Sequence, residues 1–489
     1  MNRTIKTAII LLLITPALFS EGGLNPDDAG LTSVISALAS KSRAYAANEA
    51  YRESGKITED AAMAEFGSVL TGKLNALGNN KFGQKTSQGW EIKNQYSFAA
   101  KPELSFSQLL PSYGKLTGSI SDSIGGSGAG SSTAPAIPAD LSLSNELQLN
   151  LSYSQPLYFD NPYGASLLKV ANTRAVTETN YLKNKNNLVI SAVQDYYNFV
   201  KIRYQAEQIS IRLNTNTENL KRIEKEFQLG LKTTSQLNSA VAAKLQAEAD
   251  LLKAEQNLIS AVELITAFYG ELDISSSTEG ASALLFFEAA DPQALLEELA
   301  ENPDIRMAAI GIESAEANLR ITRAKSAMIL TAGGSFSLNS GISSETHADN
   351  LSFSLGLSAP ILDGGSAEAQ IKLGESELAR LQNEIEDVKI RKNSELKLYL
   401  NNIKLGMKLL EIYSLQEETG RMNYEKGLKE FELGGISQKD LLDLQLNLED
   451  VRLNLMINRL DTNVSILKLY ALLGRDLETR LSTPAEIQD

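Results

Sequence analysis

Residues 141–159 read LSLSNELQLNLSYSQPLYF, and this stretch decides the fold that the sequence predicts. Its odd-numbered positions are mostly leucine or aromatic, and its even-numbered positions up to Ser154 are all polar. Such alternation is typical of a β-strand with one apolar and one polar face. Because globular strands average about 5–6 residues, the length favours a strand that crosses a membrane, with lipid on one side and water on the other. A long strand of a soluble sandwich is the alternative interpretation.

A second stretch has the same pattern. Between residues 351 and 358, leucine or phenylalanine alternates with serine or glycine. We expect its partner strand at residues 332–342, and the partner of the first strand within residues 104–116. The chain then supplies two hairpins, or four strands. An open sheet edge is not tolerated in lipid, so strands in a membrane would require several copies of the chain to close a barrel.

Landmark residues recur at a constant offset of 204 positions. The matched pairs are Pro156 and Pro360, Gly230 and Gly434, and Gly270 and Gly474. A repeat of this length exceeds the roughly 20–50 residues of a solenoid unit. The sequence therefore predicts two copies of one structural half, with the function where the halves meet.

A very long helix is predicted after each strand hairpin. No proline or glycine occurs between Gly164 and Gly230, and the second copy runs over residues 365–433. Its apolar residues recur at spacings of three, four and seven, which indicates coiled-coil packing. A glycine follows each long helix, and another apolar-periodic helix begins directly after it, which predicts antiparallel helical hairpins.

The remaining segments complete the predicted organisation. Residues 1–20 have the charged start, apolar core and small-residue end of a secretory signal, residues 28–75 are predicted as moderately helical, and the serine- and glycine-rich residues 119–139 are predicted as a mobile loop. The predicted order is signal peptide 1–20, N-terminal helical segment 21–100, first strand hairpin 101–160, first helical hairpin 161–272, linker 273–301, helix 302–329, second strand hairpin 330–362, second helical hairpin 363–474 and tail 475–489.

The composition argues against several classes of function. With 46 basic and 60 acidic residues the net charge is −14, which disfavours binding to nucleic acid. The chain has no cysteine and one histidine, so thiol catalysis and thiolate or multi-histidine metal sites are not expected. No phosphate-binding loop, nucleophile elbow or pair of catalytic acids stands out. We expect neither an enzyme nor a cofactor.

Three motifs carry a resemblance to a known family. The strand-to-helix junction SAPILDGG at residues 358–365 and the tip ELGGISQKDLLD at residues 432–443 resemble the TolC family of outer-membrane efflux proteins, as does the helix start Asn302-Pro303-Asp304. The resemblance covers roughly residues 141–477. It implies an α+β membrane protein in which two repeats of strand hairpin and coiled-coil helices form a homotrimer, with a twelve-stranded barrel in the outer membrane of a diderm bacterium and a helical tunnel in the periplasm.

The resemblance also implies a function and partners. Such a protein exports substrates that it receives from a periplasmic adaptor of the membrane-fusion type and an inner-membrane pump of the RND or ABC class, as in efflux and type I secretion. It is a conduit and not an enzyme. Two alternatives are a soluble periplasmic coiled-coil adaptor and a structural scaffold of long helices, neither of which needs strands of membrane length.

The resemblance assigns roles to three groups of residues. Asp440 and Asp443 would form acidic rings at the periplasmic entrance, although an acid in a first helical turn also fits a capping role, and Gln236 replaces the acid at the first tip. The adaptor-docking tips would contain Gly230, Leu231, Ser235, Gln236, Gly434, Gly435, Ile436 and Ser437. The structural residues of the strand-to-helix junctions would be Pro156, Pro360, Asp363, Gly364 and Gly365.

Overall fold

The computed structural model describes two compact units. The helical unit contains Met1–Tyr51, Thr179–Arg306 and Asp387–Asp489, and the sheet unit contains Arg52–Glu178 and Met307–Glu386. The described residues are 29–86, 89–110, 112–130, 142–158, 162–270, 292–341, 344–359 and 362–482. The predicted signal peptide at residues 1–20 and most of the predicted linker at 273–301 lie outside them.

The sheet unit contains six antiparallel strands, each hydrogen-bonded to the next in chain order. They are β1 (Ser68–Thr86), β2 (Gly89–Leu109), β3 (Lys115–Gly130), β4 (Ser142–Leu157), β5 (Ile329–Gly341) and β6 (Ser344–Ser358). The alternating residues of β4 and β6 form strands as predicted. Their leucines lie on one exposed face, with Leu151 of β4 opposite Phe336 of β5, which is opposite Leu351 of β6.

The predicted number of four strands is wrong, and the first additional strand is β1. Residues 28–75 were expected to be helical because Met63, Phe66 and Leu70 have helical spacing. The helix instead ends at Ala64, where the Gly67 N–H donates to the Ala64 carbonyl at 2.9 Å. Leu70 then lies in β1 opposite Phe106 of β2. The few apolar residues of this segment fit both the helical period of about 3.6 residues and the strand period of 2, so their spacing does not distinguish a helix from a strand.

The predicted loop at residues 119–139 is also partly wrong, because its first part belongs to β3; residues 131–139 lie outside the described residues. The many serines and glycines of this segment predict a loop, because such residues supply no apolar side chains for a core. In the sheet, Gly126 provides space for a neighbour, since a Cβ there would lie 2.4 Å from the Phe98 ring of β2. Glycine within a strand often marks such close approach.

The partner of β4 is therefore β3 and not a strand within residues 104–116. That range contains the end of β2, a tight turn and the start of β3. In the turn, the Leu110 N–H donates to the Gly114 carbonyl at 2.7 Å, and Tyr113 has a φ of 59°. The Gln155 side chain of β4 donates to the Ser112 carbonyl at 2.7 Å and so holds the turn against β4.

Nine α-helices are described. They are α1 (Ala29–Lys41), α2 (Arg43–Ala64), α3 (Tyr163–Gln228), α4 (Thr234–Tyr269), α5 (Pro292–Glu298), α6 (Pro303–Ser326), α7 (Ser366–Glu432), α8 (Gln438–Leu472) and α9 (Leu477–Ser482). The repeat is visible in their lengths, with 66 and 67 residues in α3 and α7, and 36 and 35 in α4 and α8. Within the described part of the chain, no helix is both long and apolar enough to span a membrane.

The matched glycines of the repeat have the same backbone conformation. Gly230 and Gly434 have φ values of 74° and 73°, and Gly270 and Gly474 have values of 79° and 75°. Glycine adopts this left-handed region without the steric cost that a Cβ imposes. The repeat therefore extends to the conformation of both turns.

The glycines inside α7 do not interrupt it, and three of the four make room for side chains of α8. A Cβ at Gly427 would lie 2.5 Å from Leu444, and one at Gly406 would lie 2.2 Å from the Thr462 hydroxyl. The core of the helical unit includes Val189, Val193 and Leu467, each with a relative exposure of 0%.

Candidate functional site

The first helical tip is closed at both ends by hydrogen bonds. At the end of α3, the Leu231 N–H donates to the Glu226 carbonyl at 2.8 Å, and the Gly230 N–H donates to the Phe227 carbonyl at 2.9 Å. This pair of bonds is the Schellman motif. Thr233 then begins α4 with a capping box, since its backbone N–H donates to the Gln236 side chain at 2.9 Å.

The second tip has the same construction 204 residues later. Gly435 donates to the Glu430 carbonyl at 2.7 Å, and Gly434 donates to the Phe431 carbonyl at 2.9 Å. Ser437 caps α8, and its backbone N–H and hydroxyl donate to Asp440 Oδ2 at 3.0 and 2.6 Å. The capping role that the sequence allowed for Asp440 is therefore present.

The two tips differ in charge. Lys232 of the first tip lies 3.6 Å from the Glu226 carboxylate, whereas the equivalent of Lys232 in the second tip is Ile436. Both tips expose leucine, with relative exposures of 74% for Leu229 and 86% for Leu433. Each tip is thus a hydrogen-bonded turn with an exposed apolar side chain, and the second tip has an acid, Asp440, where the first has Gln236.

Asp440 and Asp443 are both exposed and lie about one turn apart on α8, so they point to a similar side of the helix. Hydrogen bonds from the Ser437 hydroxyl and backbone N–H lower the pKa of the Asp440 carboxyl. Asp440 therefore stays charged at neutral pH while it caps the helix. Capping and a contribution to a cation-attracting surface are compatible.

The second strand-to-helix junction is an aspartate-glycine-glycine turn. Gly364 and Gly365 have φ values of 66° and 81°. The Asp363 carboxylate accepts from the Gly365 N–H at 2.9 Å and from the Ala367 N–H at 2.7 Å. The bonds from Ala367 and Gly365 lower the pKa of Asp363. At the first junction Pro156 is still paired with Thr331 within the sheet, and Pro360 lies outside the described residues.

A polar network that the sequence did not reveal lies in the helical unit. Lys185 of α3 is nearly buried, and its ammonium lies 2.8 Å from Asp476 and 2.8 Å from Glu478. The Tyr45 hydroxyl donates to Glu478 at 2.7 Å. Burial alone lowers the pKa of Lys185, but the hydrogen bonds to both carboxylates outweigh it, so the net pKa is raised. The sequence signal for this burial is that Lys185 precedes the core residue Val189 by four positions, which places both on the same side of α3.

A second part of this network is centred on the start of α6. Asn302 caps the helix by accepting from the Asp304 N–H at 2.9 Å, and it donates to the Leu472 carbonyl at 2.6 Å. Asp304 lies 2.6 Å from Lys183 and 2.9 Å from Lys392. Burial alone raises the pKa of Asp304, but hydrogen bonds from both lysines lower it overall. The Asn-Pro-Asp motif therefore joins α3, α6, α7 and the end of α8.

Comparisons with known proteins agree with this architecture. Residues 294–475 match the family of outer membrane efflux proteins. The chain is 23% identical over 351 residues to the outer membrane protein TolC of Vibrio cholerae, a match that covers 68% of this chain and 77% of that protein.

Solved structures share the fold. VceC of Vibrio cholerae superposes with a TM-score of 0.63 at 14% identity, covering 92% of this chain and 97% of VceC. CusC superposes with a TM-score of 0.66 at 15% identity, covering 94% of this chain and 96% of CusC. VceC is an outer membrane protein, and CusC forms a transmembrane channel.

The predicted resemblance to TolC-like outer-membrane efflux proteins is confirmed, and so is the predicted outer-membrane localisation. The fold is that of a TolC-like efflux channel. This is a class of transport proteins and not of enzymes.

Proposed function

We propose that this chain assembles as a homotrimer into an outer-membrane duct that passes substrates from the periplasm to the cell exterior. The observation that carries the proposal is an exposed apolar band that crosses all six strands of the sheet unit, with Asp122 and Asp349 as the acids on the same face. A soluble protein rarely exposes a contiguous apolar patch larger than a few hundred Å², so this face needs an apolar environment.

The apolar face follows the strand register. Leu70 of β1 is opposite Phe106 of β2, and Leu151 of β4 is opposite Phe336 of β5. Phe353 of β6 is 82% exposed. Lipid is the apolar phase that the predicted localisation supplies, and strands that alternate between an apolar and a polar side are the pattern of outer-membrane barrels.

The opposite face of the sheet suits water. The Thr117 and Ser152 hydroxyls hydrogen-bond across β3 and β4 at 2.6 Å, and those of Ser335 and Ser352 across β5 and β6 at 2.7 Å. Glu146 is exposed on the same face as Ser152. A barrel closed by several copies would enclose this polar face as its lumen.

The helical tips would form the periplasmic end of the duct. In a trimer, Asp440 and Asp443 of α8 would each become a ring of three carboxylates, and such rings favour cations. The exposed leucines Leu229 and Leu433, together with the predicted tip residues, would present an apolar docking surface to a periplasmic adaptor. An inner-membrane RND or ABC pump would supply the substrates.

Removing the acidic pair should weaken cation preference. We would replace Asp440 with Gln and Asp443 with Ser, the residues at the equivalent positions of the first tip, where Gln236 shows that an amide also caps. In planar bilayers the cation-to-anion permeability ratio should fall by roughly two- to five-fold, while single-channel conductance at high salt changes little because salt screens the charges.

Asp461→Asn is the matched control, because Asp461 is an exposed acid of the same helix far from the tip. It should leave the permeability ratio unchanged. An unchanged ratio in the double variant would remove Asp440 and Asp443 from the ion path. Recovery of the unmodified protein in the soluble periplasmic fraction, with no channel activity, would instead favour the adaptor function.

A further inference from the structure

The strand number has a consequence for the assembled barrel. We infer that three copies form an eighteen-stranded wall, in which β1 of one copy pairs with β6 of the next, in place of the twelve strands that four per chain would supply. The inference rests on the proposed trimeric duct. It concerns the β1–β2 hairpin, which must be either a full part of the wall or an appendage to it.

The register places the β1–β2 hairpin at the level of the other strands. One row of paired residues crosses the whole sheet near the helix side. It consists of Ser68, Gln108, Leu116, Tyr153, Gly334 and Phe353. All six strands therefore reach the same depth at this end, as the strands of one barrel do. An appendage outside the membrane would not need this alignment.

The two faces of the hairpin also match those of the other strands. On the apolar side, Leu70 and Leu74 of β1 are 67% and 73% exposed, and Leu104 of β2 is 49% exposed. On the polar side, Lys73 of β1 is directly opposite Glu103 of β2. The hairpin thus continues both the lipid-facing and the water-facing surfaces of the sheet. On the water-facing surface, opposite charges are paired across the two strands.

Specific contacts hold β2 in place beside β3. The turn between them is fixed to β4 by Gln155, and the Tyr113 hydroxyl lies 2.5 Å from the Ser166 hydroxyl of α3. Further along, the Phe98 ring occupies the space that Gly126 leaves open. A twelve-stranded barrel that closes on β3 would require β2 to leave β3 and to give up its hydrogen bonds and this packing.

The free edges fit each other. Among the described residues, β1 and β6 are the strands with a neighbour on one side alone. The chain runs away from the helices along β1 and back toward them along β6, so the two strands would be antiparallel like every other pair in the sheet. In lipid, both edges need a partner for their backbone groups. A second copy of this chain supplies it, and the barrel would be about half again as wide as one of twelve strands.

Disulfide cross-linking can test which strand β6 meets, because the chain has no cysteine. Ser354→Cys in β6 is combined, one at a time, with cysteine at Thr71, Lys73 or Asn75 in β1. A second series combines it with cysteine at Ser119, Ser121 or Ser123 in β3. All these positions lie on the polar face, and a disulfide forms where Cα atoms come within about 4.4–6.8 Å.

The proteins are oxidised in the membrane, separated on non-reducing gels and also measured for native mass in detergent. We expect cross-linked dimers and trimers from at least one β1 position and from none in β3. A double Ser335→Cys and Ser352→Cys variant is the positive control, because its cross-link forms within one chain and the two hydroxyls are 2.7 Å apart.

The outcomes separate this inference from the proposed function. Cross-linking through β3, or through neither series in a protein of trimer mass, would overturn the eighteen-stranded wall and leave the duct intact. A native mass of one chain without cross-links would overturn both.

Discussion

Leu151→Arg is expected to destabilise the membrane-inserted protein severely. Leu151 lies near the middle of β4, exposed on the apolar face between Gly118 of β3 and Phe336 of β5. An arginine on the lipid face near the bilayer midplane costs about 2–4 kcal/mol. In a trimer the cost recurs in each copy. We would measure urea-induced unfolding in lipid vesicles, and the amount of protein recovered in the outer membrane.

The neighbouring variant Asn150→Arg is the matched control. Asn150 is exposed on the polar face of the same strand, so its arginine would be placed in water. We expect stability within about 0.5 kcal/mol of the unmodified protein and a shift of ion selectivity toward anions. Equal destabilisation by the two arginines would contradict a sheet with one face in lipid and one in water.

Lys185→Met is expected to destabilise the helical unit by about 2–3 kcal/mol. The Lys185 side chain is 10% exposed and lies between the carboxylates of Asp476 and Glu478. Without the ammonium, two partly buried negative charges face each other. Both carboxylates retain some contact with solvent, which keeps the loss below that of a fully buried pair. Chemical denaturation followed by helical circular dichroism would measure the change.

The pH dependence of this loss follows from the pKa of Lys185, which is raised in the folded protein. The stabilisation is full below the ordinary lysine pKa and disappears as pH rises through the raised value. The difference between Lys185→Met and the unmodified protein should therefore be constant from pH 6 to 9.

Two further variants identify the cause. Lys225→Met removes an exposed lysine from the same helix and should change stability by less than about 0.5 kcal/mol. Adding Asp476→Asn and Glu478→Gln to Lys185→Met should restore part of the loss, because the repelling charges are then absent. A loss of the same size with the carboxylates neutralised would show that packing and not charge is responsible.

Much of the fold could be predicted because three of its signals are local. The alternation of apolar and polar residues in β4 indicates a strand whose two faces have different environments. A glycine after a long periodic helix indicates a left-handed turn, as found at Gly230 and Gly434. The pairing of Ser437 with Asp440 is likewise a local capping pattern. Each of these depends on residues within a few positions of one another.

The missed strands depend on contacts between distant residues. β3 is rich in serine and glycine, and its glycines are explained by neighbours such as Phe98, which no local pattern reveals. β1 begins directly after a helix with compatible apolar spacing. The network around Lys185 was missed for the same reason, since its partner Asp476 is 291 positions away. Lysines on helices are usually solvated, so the spacing of Lys185 from Val189 is a weak signal that does not identify its partners.

In the proposed duct, the polar face of the sheet lines a water-filled path while the apolar face contacts lipid. Single cysteines can test this arrangement in a chain that has none. Asn150→Cys and Leu151→Cys channels would be recorded in planar bilayers before and after addition of a charged, water-soluble thiol reagent. The current is expected to fall in steps for Asn150→Cys and to stay unchanged for Leu151→Cys. The reverse pattern, or no channel from either protein, would contradict this arrangement.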